Sequence, residues 1–266
     1  MITKERIIDF CKKHKIILSP DIDQHFIIDE EMTRKIVGFA CLGKKDVVLE
    51  VGAGFGSLTE EIASKAGKVY SIEIDKKYKP ALDKIVRKNK NLKILYKNAL
   101  RIKFPPFNKI IANIPYNITE PLFIKLMRYK FDLGILTVGK NFTDILKGKK
   151  SRLSLILPCY YDIKVLYGIS PEIFYPKPKT YSSLIKIIPK KKENLTKKQL
   201  LLRYIFEHRY SKTKNALLKV ITRQEKTKRE ARKIISLSKE NFLEKIVDNL
   251  SNEEFVKLAE ILRTIK

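Results

Sequence analysis

Residues 46–74, DVVLEVGAGFGSLTEEIASKAGKVYSIEI, decide the fold of this 266-residue chain. The segment begins with an apolar run at 46–51, continues with three glycines and a helix-spaced stretch at 56–66, and ends with a second apolar run at 68–74. Short apolar runs rich in β-branched residues predict buried strands. Glycine adopts positive φ and lets the backbone approach a ligand closely. The segment therefore predicts a strand, a glycine-rich turn, a helix and a second strand.

The same alternation of strands and helices continues along the chain. Further strands are predicted at 91–96, 109–114, 131–138 and 182–189, and further helices at 76–88 and 120–130. Strands that alternate with helices are typical of a parallel sheet covered by helices on both faces. The predicted fold class is therefore α/β, with a doubly wound, Rossmann-like sheet.

The character of the sequence changes near residue 190. KKKENLTKKQ at 190–199 is highly charged, and the sequence after it has helical spacing. Thr196 with Gln199, and Ser251 with Glu254, have the spacing of a capping box at a helix start. We therefore expect two domains, a sheet domain at 1–190 and a small helical domain at 191–266.

The net charge of +27 is large and unevenly distributed. Residues 190–233 contain 16 Lys and Arg against 4 acidic residues, a net of +12, whereas residues 239–266 contain 5 against 6, a net of −1. Exposed helix faces usually mix both signs. Nucleic acid is therefore the first candidate partner and an anionic membrane surface the second, although a general abundance of lysine would also raise the charge.

Cysteine usage and hydropathy exclude several other classes. Cys11, Cys41 and Cys159 are far apart and no CxxC or Cys/His cluster is present, so neither a metal site nor a disulfide framework is predicted. No apolar run approaches the ~20 residues of a membrane span, and the N-terminal MITKERIIDFCKKHK lacks a signal-peptide core. We expect a cytoplasmic monomer with no metal and no membrane partner.

The glycine-rich turn and the strand after it indicate a nucleoside-binding site. Gly52, Gly54 and Gly56 follow the first strand, and Glu73 ends the second, 21 residues after Gly52. A carboxylate at that position can accept from both hydroxyls of a ribose, in NAD or in S-adenosylmethionine. LTEE at 58–61 places two carboxylates in the following helix, which would repel a pyrophosphate and favours S-adenosylmethionine. A dinucleotide site and a plain tight turn are the alternatives.

The segment NIPY follows a predicted strand and is where we expect the reaction. The amide oxygen of Asn113 and the carbonyl of Ile114 can accept from the two hydrogens of an exocyclic amine, and Pro115 leaves no N–H beside them. Tyr116 offers a flat face on which a base can stack. The alternative is a simple turn before the next helix, with Thr119 as its N-cap.

These motifs, in this order, resemble the small-subunit ribosomal RNA adenine dimethyltransferases. The resemblance rests on DQHFIID, EVGAGFG, IEID, NIPY and FYPKPKTYSSLIKI, and on FEHRYSKTKNALL at 206–218, which is similar to the helical-domain signature of that family. It covers residues from about 19 to 220. The macrolide-resistance adenine methylases of large-subunit ribosomal RNA are close relatives, and the helical signature separates the first group from the second.

The resemblance implies a Rossmann-like methyltransferase that uses S-adenosylmethionine to methylate N6 of adenines in small-subunit ribosomal RNA, twice on each of two adjacent adenines. The partner would be this RNA or a pre-ribosomal small subunit. Gln24 and His25 would close over the cofactor, and Asn98 would accept from the cofactor's adenine amino group. Phe174 would stack on the target base opposite Tyr116.

Taken together, the predicted cofactor-binding residues are Gln24, His25, Gly52, Gly54, Gly56, Glu73, Asn98 and Asn113, and the predicted catalytic residues are Asn113, Ile114, Pro115, Tyr116 and Phe174.

Two features depart from the family pattern. Asn98 stands where the family usually has Asp, and GKNFTDIL at 139–146 lacks the family's Gln-x-Glu stretch and the Arg after it. Lys177 and Lys179 are candidate phosphate contacts. Three other interpretations stay open, namely a catalytically weakened RNA-binding assembly factor, a large-subunit methylase of the macrolide-resistance type, and a NAD-dependent dehydrogenase, for which no hydride-chemistry residues are obvious.

Overall fold

The computed structural model describes residues 2–18, 24–148, 150–224, 226–238 and 240–264. Asp23 of the DQHFIID segment lies outside the described residues, as do the two ends of the predicted domains, residues 1 and 266. Among the described residues, no helix combines the length and the apolar character that crossing a bilayer requires.

The chain divides into two compact units whose limits differ from the predicted domains. The first unit contains residues 1–143 and 163–189, and the second contains 144–162 and 190–266. Residues 144–162, expected in the sheet domain, therefore group with the helical part. Contacts of Arg152 within the second unit explain this difference. Its backbone N–H donates to Asn252 Oδ1 at 2.9 Å, and its guanidinium donates to the Asp248 carbonyl at 2.7 Å.

A seven-stranded sheet forms the centre of the first unit, as far as the described residues show, beside a ladder of two short strands. The strands are β1 (Phe26–Ile27), β2 (Val47–Val51), β3 (Lys68–Glu73), β4 (Leu92–Tyr96), β5 (Lys109–Asn113), β6 (Leu133–Gly139), β7 (Tyr161–Ile169), β8 (Phe174–Tyr175) and β9 (Ser182–Pro189). The large sheet has the order β4-β3-β2-β5-β6-β9-β7, and β1 pairs with β8. Strands β2 to β6 are parallel and β9 runs antiparallel to β6, which confirms the predicted doubly wound α/β sheet.

Burial on both faces explains the sequence of the central strands. Val48 and Leu49 of β2 and Ile110 and Ile111 of β5 are all fully buried, although consecutive strand residues point to opposite faces. The strand order reverses between β2 and β5, because β3 and β4 extend the sheet on one side and β6 on the other. In sheets of this kind ligands bind in the crevice at the carboxyl ends of the strands at such a reversal.

Six helices belong wholly or partly to the first unit within its described residues. They are α1 (Lys4–His14), α2 (Glu30–Gly38), α3 (Ser57–Lys65), α4 (Lys79–Lys88), α5 (Thr119–Leu126) and α6 (Lys140–Gly148). The predicted helix at 76–88 is a 3₁₀ turn followed by α4, and the helix predicted to end near 130 ends at Leu126. Helices α1, α2 and α6 and strand β7 were not predicted. Helix α2 had a start signal, since Asp29 accepts from the Met32 N–H at 2.7 Å.

The second unit is helical. Its further described helices are α7 (Arg152–Ile156), α8 (Lys197–Glu207), α9 (Thr213–Thr222), α10 (Lys228–Leu237) and α11 (Asn252–Thr264). Both predicted capping boxes are confirmed. The Thr196 and Ser251 N–H groups donate to the side chains of Gln199 and Glu254 at 3.0 and 2.9 Å, and the reverse bonds are 3.3 and 3.2 Å.

Candidate active site

A cavity of about 230 Å³ opens at the carboxyl ends of β2, β3 and β5. It lies within the first unit, where the strand order reverses. Its wall includes Gln24, His25, Gly52, Gly54, Glu73, Asn98, Asn113, Ile114, Pro115 and Tyr116. The fold thus brings together ten of the predicted site residues from five separate segments of the chain.

Gly54 shows why the turn after β2 needs glycine. Its φ is +53°, its N–H donates to Glu73 Oε2 at 2.7 Å, and a Cβ at this position would lie 2.6 Å from the Phe26 ring. Gly52, at φ +86°, would place a Cβ 3.5 Å from the Asn113 carbonyl oxygen. Glycine is therefore needed at both positions for the positive φ, and at Gly54 also because a side chain would meet Phe26.

Gly56 has a different role from the one expected. It is not among the described residues of the cavity wall, and a Cβ there would lie 2.2 Å from Ile85 Cδ1 of α4. The missing side chain lets α3 pack closely against α4. The structure therefore gives Gly56 a packing role, and its contact with a cofactor stays a prediction.

Glu73 presents a buried carboxylate to the cavity. It is 5% exposed; Oε2 accepts from Gly54 and Oε1 accepts from the Asp75 N–H at 2.8 Å. Burial raises the pKa of this carboxyl, and hydrogen bonds from the backbone N–H groups of Asp75, Gly54 and Ile74 oppose that rise. Since a carboxylate has about four acceptor positions, at least one stays open for a ligand hydroxyl.

A second buried acid is Glu50, which lies on β2 and outside the cavity wall. Its Oε2 accepts from Thr59 at 2.7 Å and from Ser71 at 2.5 Å, whereas Oε1 has no partner among the described residues. Burial is the largest cause that raises the pKa of Glu50 to about 7, and the nearby charge of Glu73 adds to it.

The segment at 24–25 is fastened on both sides of the cavity. Gln24 Oε1 accepts from the Tyr78 hydroxyl at 2.8 Å and from Lys77 at 3.3 Å. His25 Nδ1 donates to the Pro176 carbonyl at 2.7 Å, and the His25 carbonyl accepts from Asn113 Nδ2 at 2.7 Å. These bonds hold the two residues across the opening between β3 and β5.

The same contact orients Asn113. Because Nδ2 is held by the His25 carbonyl, Oδ1 is directed away from it, and no described residue donates to this oxygen. The Ile114 N–H donates to the Thr137 carbonyl at 3.0 Å, which continues the β5–β6 ladder into the NIPY segment. The strand therefore fixes the backbone, and the neighbouring segment fixes the side chain.

Tyr116 lies on Gly139, the last residue of β6. A Cβ on Gly139 would lie 3.3 Å from the Tyr116 ring, so the ring packs on bare backbone. Its hydroxyl is 2.6 Å from Ser182 Oγ, and its ring centre is 5.7 Å from that of His25. Gly139 begins the stretch that departs from the family pattern, and no motif in the sequence pointed to this role.

The alternative reading of Thr119 as an N-cap is wrong. Thr119 is the first residue of α5, its hydroxyl lies 3.4 Å from the Pro115 carbonyl, and Ile118 occupies the cap position without a side-chain bond. The NIPY segment leads from the end of β5 into a 3₁₀ turn at Tyr116–Ile118, and no side chain caps the helix that follows.

Asn98 belongs to the loop after β4. Its Oδ1 accepts from the Leu100 N–H at 2.8 Å, so the oxygen expected to bind a cofactor amino group already stabilises the loop. Lys125 of α5 tethers the same loop by donating to the Ala99 carbonyl at 2.6 Å and to the Ile102 carbonyl. Burial lowers the pKa of Lys125. The sequence did not single out this lysine.

Phe174 does not reach the cavity. It is 3% exposed, pairs with Ile27 between β8 and β1, and packs in the hydrophobic core. In this structure the ring is used for packing, and its stacking on a target base stays a prediction. Lys177, a candidate phosphate contact, forms an ion pair with Glu172.

Comparison with known proteins gives a family for the whole chain. The family model described as ribosomal RNA adenine dimethylase matches residues 18–263. Two similar proteins are both named probable ribosomal RNA small subunit methyltransferase A. The one from Methanococcoides burtonii is 34% identical over 253 residues, 90% of this chain and 92% of the relative. The one from Pyrococcus furiosus is 32% identical over 272 residues, which cover 97% of this chain and 99% of the relative.

Solved structures give the same fold. A dimethyladenosine transferase from Plasmodium falciparum has a TM-score of 0.63 at 26% identity, covering 88% of this chain and 96% of that one. The 23S rRNA methyltransferase ErmE has a TM-score of 0.59 at 20% identity, covering 90% and 100%, a likeness in fold alone. The Rossmann-like sheet predicted from the sequence is thus that of known methyltransferases.

Proposed function

Because this chain belongs to the ribosomal RNA adenine dimethylase family, we propose that its cavity methylates N6 of adenines in small-subunit ribosomal RNA. The chain is a methyltransferase that uses S-adenosylmethionine. The observation that carries the proposal is the amide oxygen of Asn113, to which no described residue donates, in a cavity wall that also contains Ile114, Glu73 and Gly54.

The cavity fits the cofactor on structural grounds. Gly52 and Gly54 place backbone without side chains in the cavity wall, and the buried carboxylate of Glu73 keeps at least one acceptor position for a ligand hydroxyl. We assign Glu73 to the ribose hydroxyls, the two glycines to the methionine end, and Gln24 and His25 to closure over it. When bound, S-adenosylmethionine supplies an electrophilic methyl group.

Asn113 and Ile114 would hold the amine that receives the methyl group. An exocyclic amine is a weak nucleophile, because its lone pair is delocalised into the ring. Two oxygen acceptors aimed at its hydrogens favour a pyramidal nitrogen whose lone pair is available. Pro115 keeps a competing N–H away from these oxygens. After transfer the nitrogen's proton leaves to water, and positioning supplies much of the rate.

Tyr116 would stack on the target adenine. Its ring is already held from behind by Gly139 and at its hydroxyl by Ser182. Such a ring keeps one fixed orientation for an extruded base. Adenines in RNA loops reach a pocket of this kind without unpairing a helix, which suits a ribosomal RNA target. The structure gives no second stacking partner from Phe174, so the proposal assigns stacking to Tyr116 alone.

The small subunit is favoured as the target, since both relatives described above are named for it. The finer expectations remain proposals, namely dimethylation of two adjacent adenines, action in the cytoplasm, a monomeric enzyme, and RNA contact by the helical part at 191–266. The unit limits extend that helical part to include residues 144–162.

Incubation of unmodified small subunits with labelled S-adenosylmethionine, followed by mapping of labelled adenines, tests the proposal. We expect label at N6 of adenines in the small-subunit RNA and none in naked large-subunit RNA. Label on the large-subunit RNA alone would identify an enzyme of the macrolide-resistance type. Cofactor binding without any label would identify an RNA-binding assembly factor, and binding of NAD instead would indicate a dehydrogenase.

A further inference from the structure

The basic residues of the second unit fall into two groups that differ in their partners. Lys212 and Lys214, in the segment that resembles the family signature, both pair with Glu244, and Arg209 lies 3.9 Å from Asp248. These cations are paired inside the unit, although the two lysines share one carboxylate. A contact with an external polyanion would have to compete with these pairs, so the segment is a weaker candidate for a phosphate-binding surface than cations that form no such pair.

Helix α10 carries the second group. Lys228, Arg229, Arg232 and Lys233 are all exposed, and none of the four forms an ion pair with a described residue. At 100° per residue they occupy an arc of about 140° on one face of the helix. Its single acid, Glu230, is used in a capping box with Thr227, which lowers the pKa of that carboxyl.

The opposite side of α10 is not free. Ala231 is fully buried and α10 packs against α9 within the second unit. A helix that binds a membrane surface inserts a broad exposed apolar face. In α10, Ile234 and Ile235 are half-buried and Leu237, at 70% exposure, is the one strongly exposed apolar side chain. Helix α11 offers a contrast in the same unit, because it mixes Glu253, Glu254 and Glu260 with Lys257. A face of one sign that pairs with none of the described residues is complementary to a phosphate backbone.

We propose that the exposed cationic face of α10 is the surface that binds the sugar–phosphate backbone of the ribosomal RNA substrate. This inference rests on the proposed function for the identity of the RNA. In this proposal α10 strengthens RNA binding and fixes the position of the RNA on the protein, while the cavity of the first unit recognises the base.

The test replaces Lys228, Arg229, Arg232 and Lys233 together by Gln, a good helix former. Affinity for unmodified small-subunit RNA is measured across a salt series. Four lost phosphate contacts should reduce the slope of log K against log salt by about 3 and weaken binding at least about tenfold. The cofactor affinity and kcat at saturating RNA should be unchanged, because α10 carries none of the cavity residues.

Two matched controls remove the effect of net charge. The first replaces Lys45, Lys84, Lys93 and Lys130 by Gln, four exposed lysines of the first unit without ion pairs to described residues. The second replaces Lys212 and Lys214, which are paired. Both should change the salt slope by less than about 1. A slope that falls equally in the first control and in the α10 variant overturns the inference, as does a loss of binding to anionic vesicles while RNA binding is kept.

Failure of the inference and failure of the proposed function have different signatures. If the parent protein binds RNA but transfers no methyl group, and the α10 variant still loses the salt slope, the surface assignment stands and the enzymatic proposal falls. If the parent methylates and the α10 variant binds RNA as the parent does, the surface assignment falls. Circular dichroism melting of each variant shows that the helical unit is folded before affinities are compared.

Discussion

Two ends of one cavity are built in different ways. At the cofactor end, which comprises Gly52, Gly54, Glu73 and Asn98, side-chain acceptors already bind backbone donors of the protein. At the target end, which comprises Asn113, Ile114 and Tyr116, the amide oxygen of Asn113 has no donor among the described residues. At the cofactor end the protein's own groups already bond to one another, and a ligand would add further contacts. At the target end one acceptor, the Asn113 amide oxygen, is left for the reacting group. Changes at the first should alter cofactor affinity, and changes at the second should alter the rate of transfer.

The largest effect is expected for Asn113→Ala. Removing the amide oxygen takes away one of two acceptors for the reacting amine, so kcat should fall by about 100-fold or more, as when one preorganised partner of a transition state is removed. Calorimetry should find cofactor affinity within a few-fold of the parent. Unchanged turnover would refute the role given to Asn113, and a large loss of cofactor binding would break the distinction between the two ends.

Tyr116→Ala should have the next largest effect. Loss of a stacked base costs about 1–3 kcal/mol, which corresponds to roughly five- to 150-fold in kcat/KM for RNA. Tyr116→Phe is the matched control, because it keeps the ring on Gly139 and removes only the hydroxyl contact with Ser182. Equal losses in both variants would assign the function to the hydroxyl instead of the ring.

Gly54→Ala tests the cofactor end. The new methyl group would meet the Phe26 ring at a backbone conformation that alanine adopts at a cost, so cofactor affinity should fall by about tenfold. Gly38→Ala is the control, since a Cβ there has no atom within 4 Å and its φ is not in the left-handed region. The transfer rate at saturating cofactor should change less than the affinity. A Gly54→Ala variant with normal cofactor affinity but a reduced transfer rate would contradict the assignment of cofactor affinity to one end of the cavity and transfer rate to the other.

Asn98→Asp should raise the cofactor affinity by a small factor and leave the target end unchanged. One carboxylate oxygen can keep the bond from the Leu100 N–H, and the other offers a charged acceptor where Asn98 has an amide nitrogen. We expect cofactor affinity to rise several-fold, about 1 kcal/mol, with kcat unchanged. Titration calorimetry of both proteins in one buffer measures the difference. A weaker affinity of the Asp variant would show that Asn98 donates to the ligand.

Glu50→Gln should leave both ends of the cavity unchanged and alter only stability. The folded protein holds the pKa of Glu50 at about 7, above the unfolded value of 4.5. The stabilising contribution is therefore fully present below pH 4.5 and is lost as the pH rises through about 7. Denaturant unfolding of the parent and the variant should agree near pH 5 and favour the variant at pH 8. Equal stabilities at both pH values would show that the carboxyl is not buried as described.

The sequence predicted the regular part of the fold well. The segment at 46–74 folds as expected into β2, the glycine turn, α3 and β3, because its signals are local and agree with one another. Helices α1 and α2 had caps and apolar spacing that a closer reading would have used. Strand β7 was harder to recognise, since most of its residues are partly or fully exposed and its pattern is mixed.

The candidate site was predicted in composition but only partly in role. Phe174 and Gly56 were chosen from the positions of the family motifs. In this structure the Phe174 ring packs in the core, and the absence of a side chain at Gly56 lets two helices pack closely. Asn98 has an oxygen that its own loop uses. Lys125 and Gly139 were missed because their contacts lie 23 or more residues away in sequence. Roles that depend on a neighbour's position cannot be read from spacing.

By itself the sequence determined the alternation of strands and helices, the glycine turn, the acid that follows it and the family to which the chain belongs. These properties depend on side-chain periodicity and local backbone preference, which a short window contains. Only the tertiary structure decided that the His25 carbonyl turns the Asn113 amide and that Gly139 supports Tyr116. It also decided that Lys212 and Lys214 pair with an acid, whereas the cations of α10 pair with none of the described residues. The reason is physical: the orientation of a buried amide, or the neutralisation of a charge, is fixed by whichever groups the folded chain brings within a few ångströms, whatever their separation in sequence.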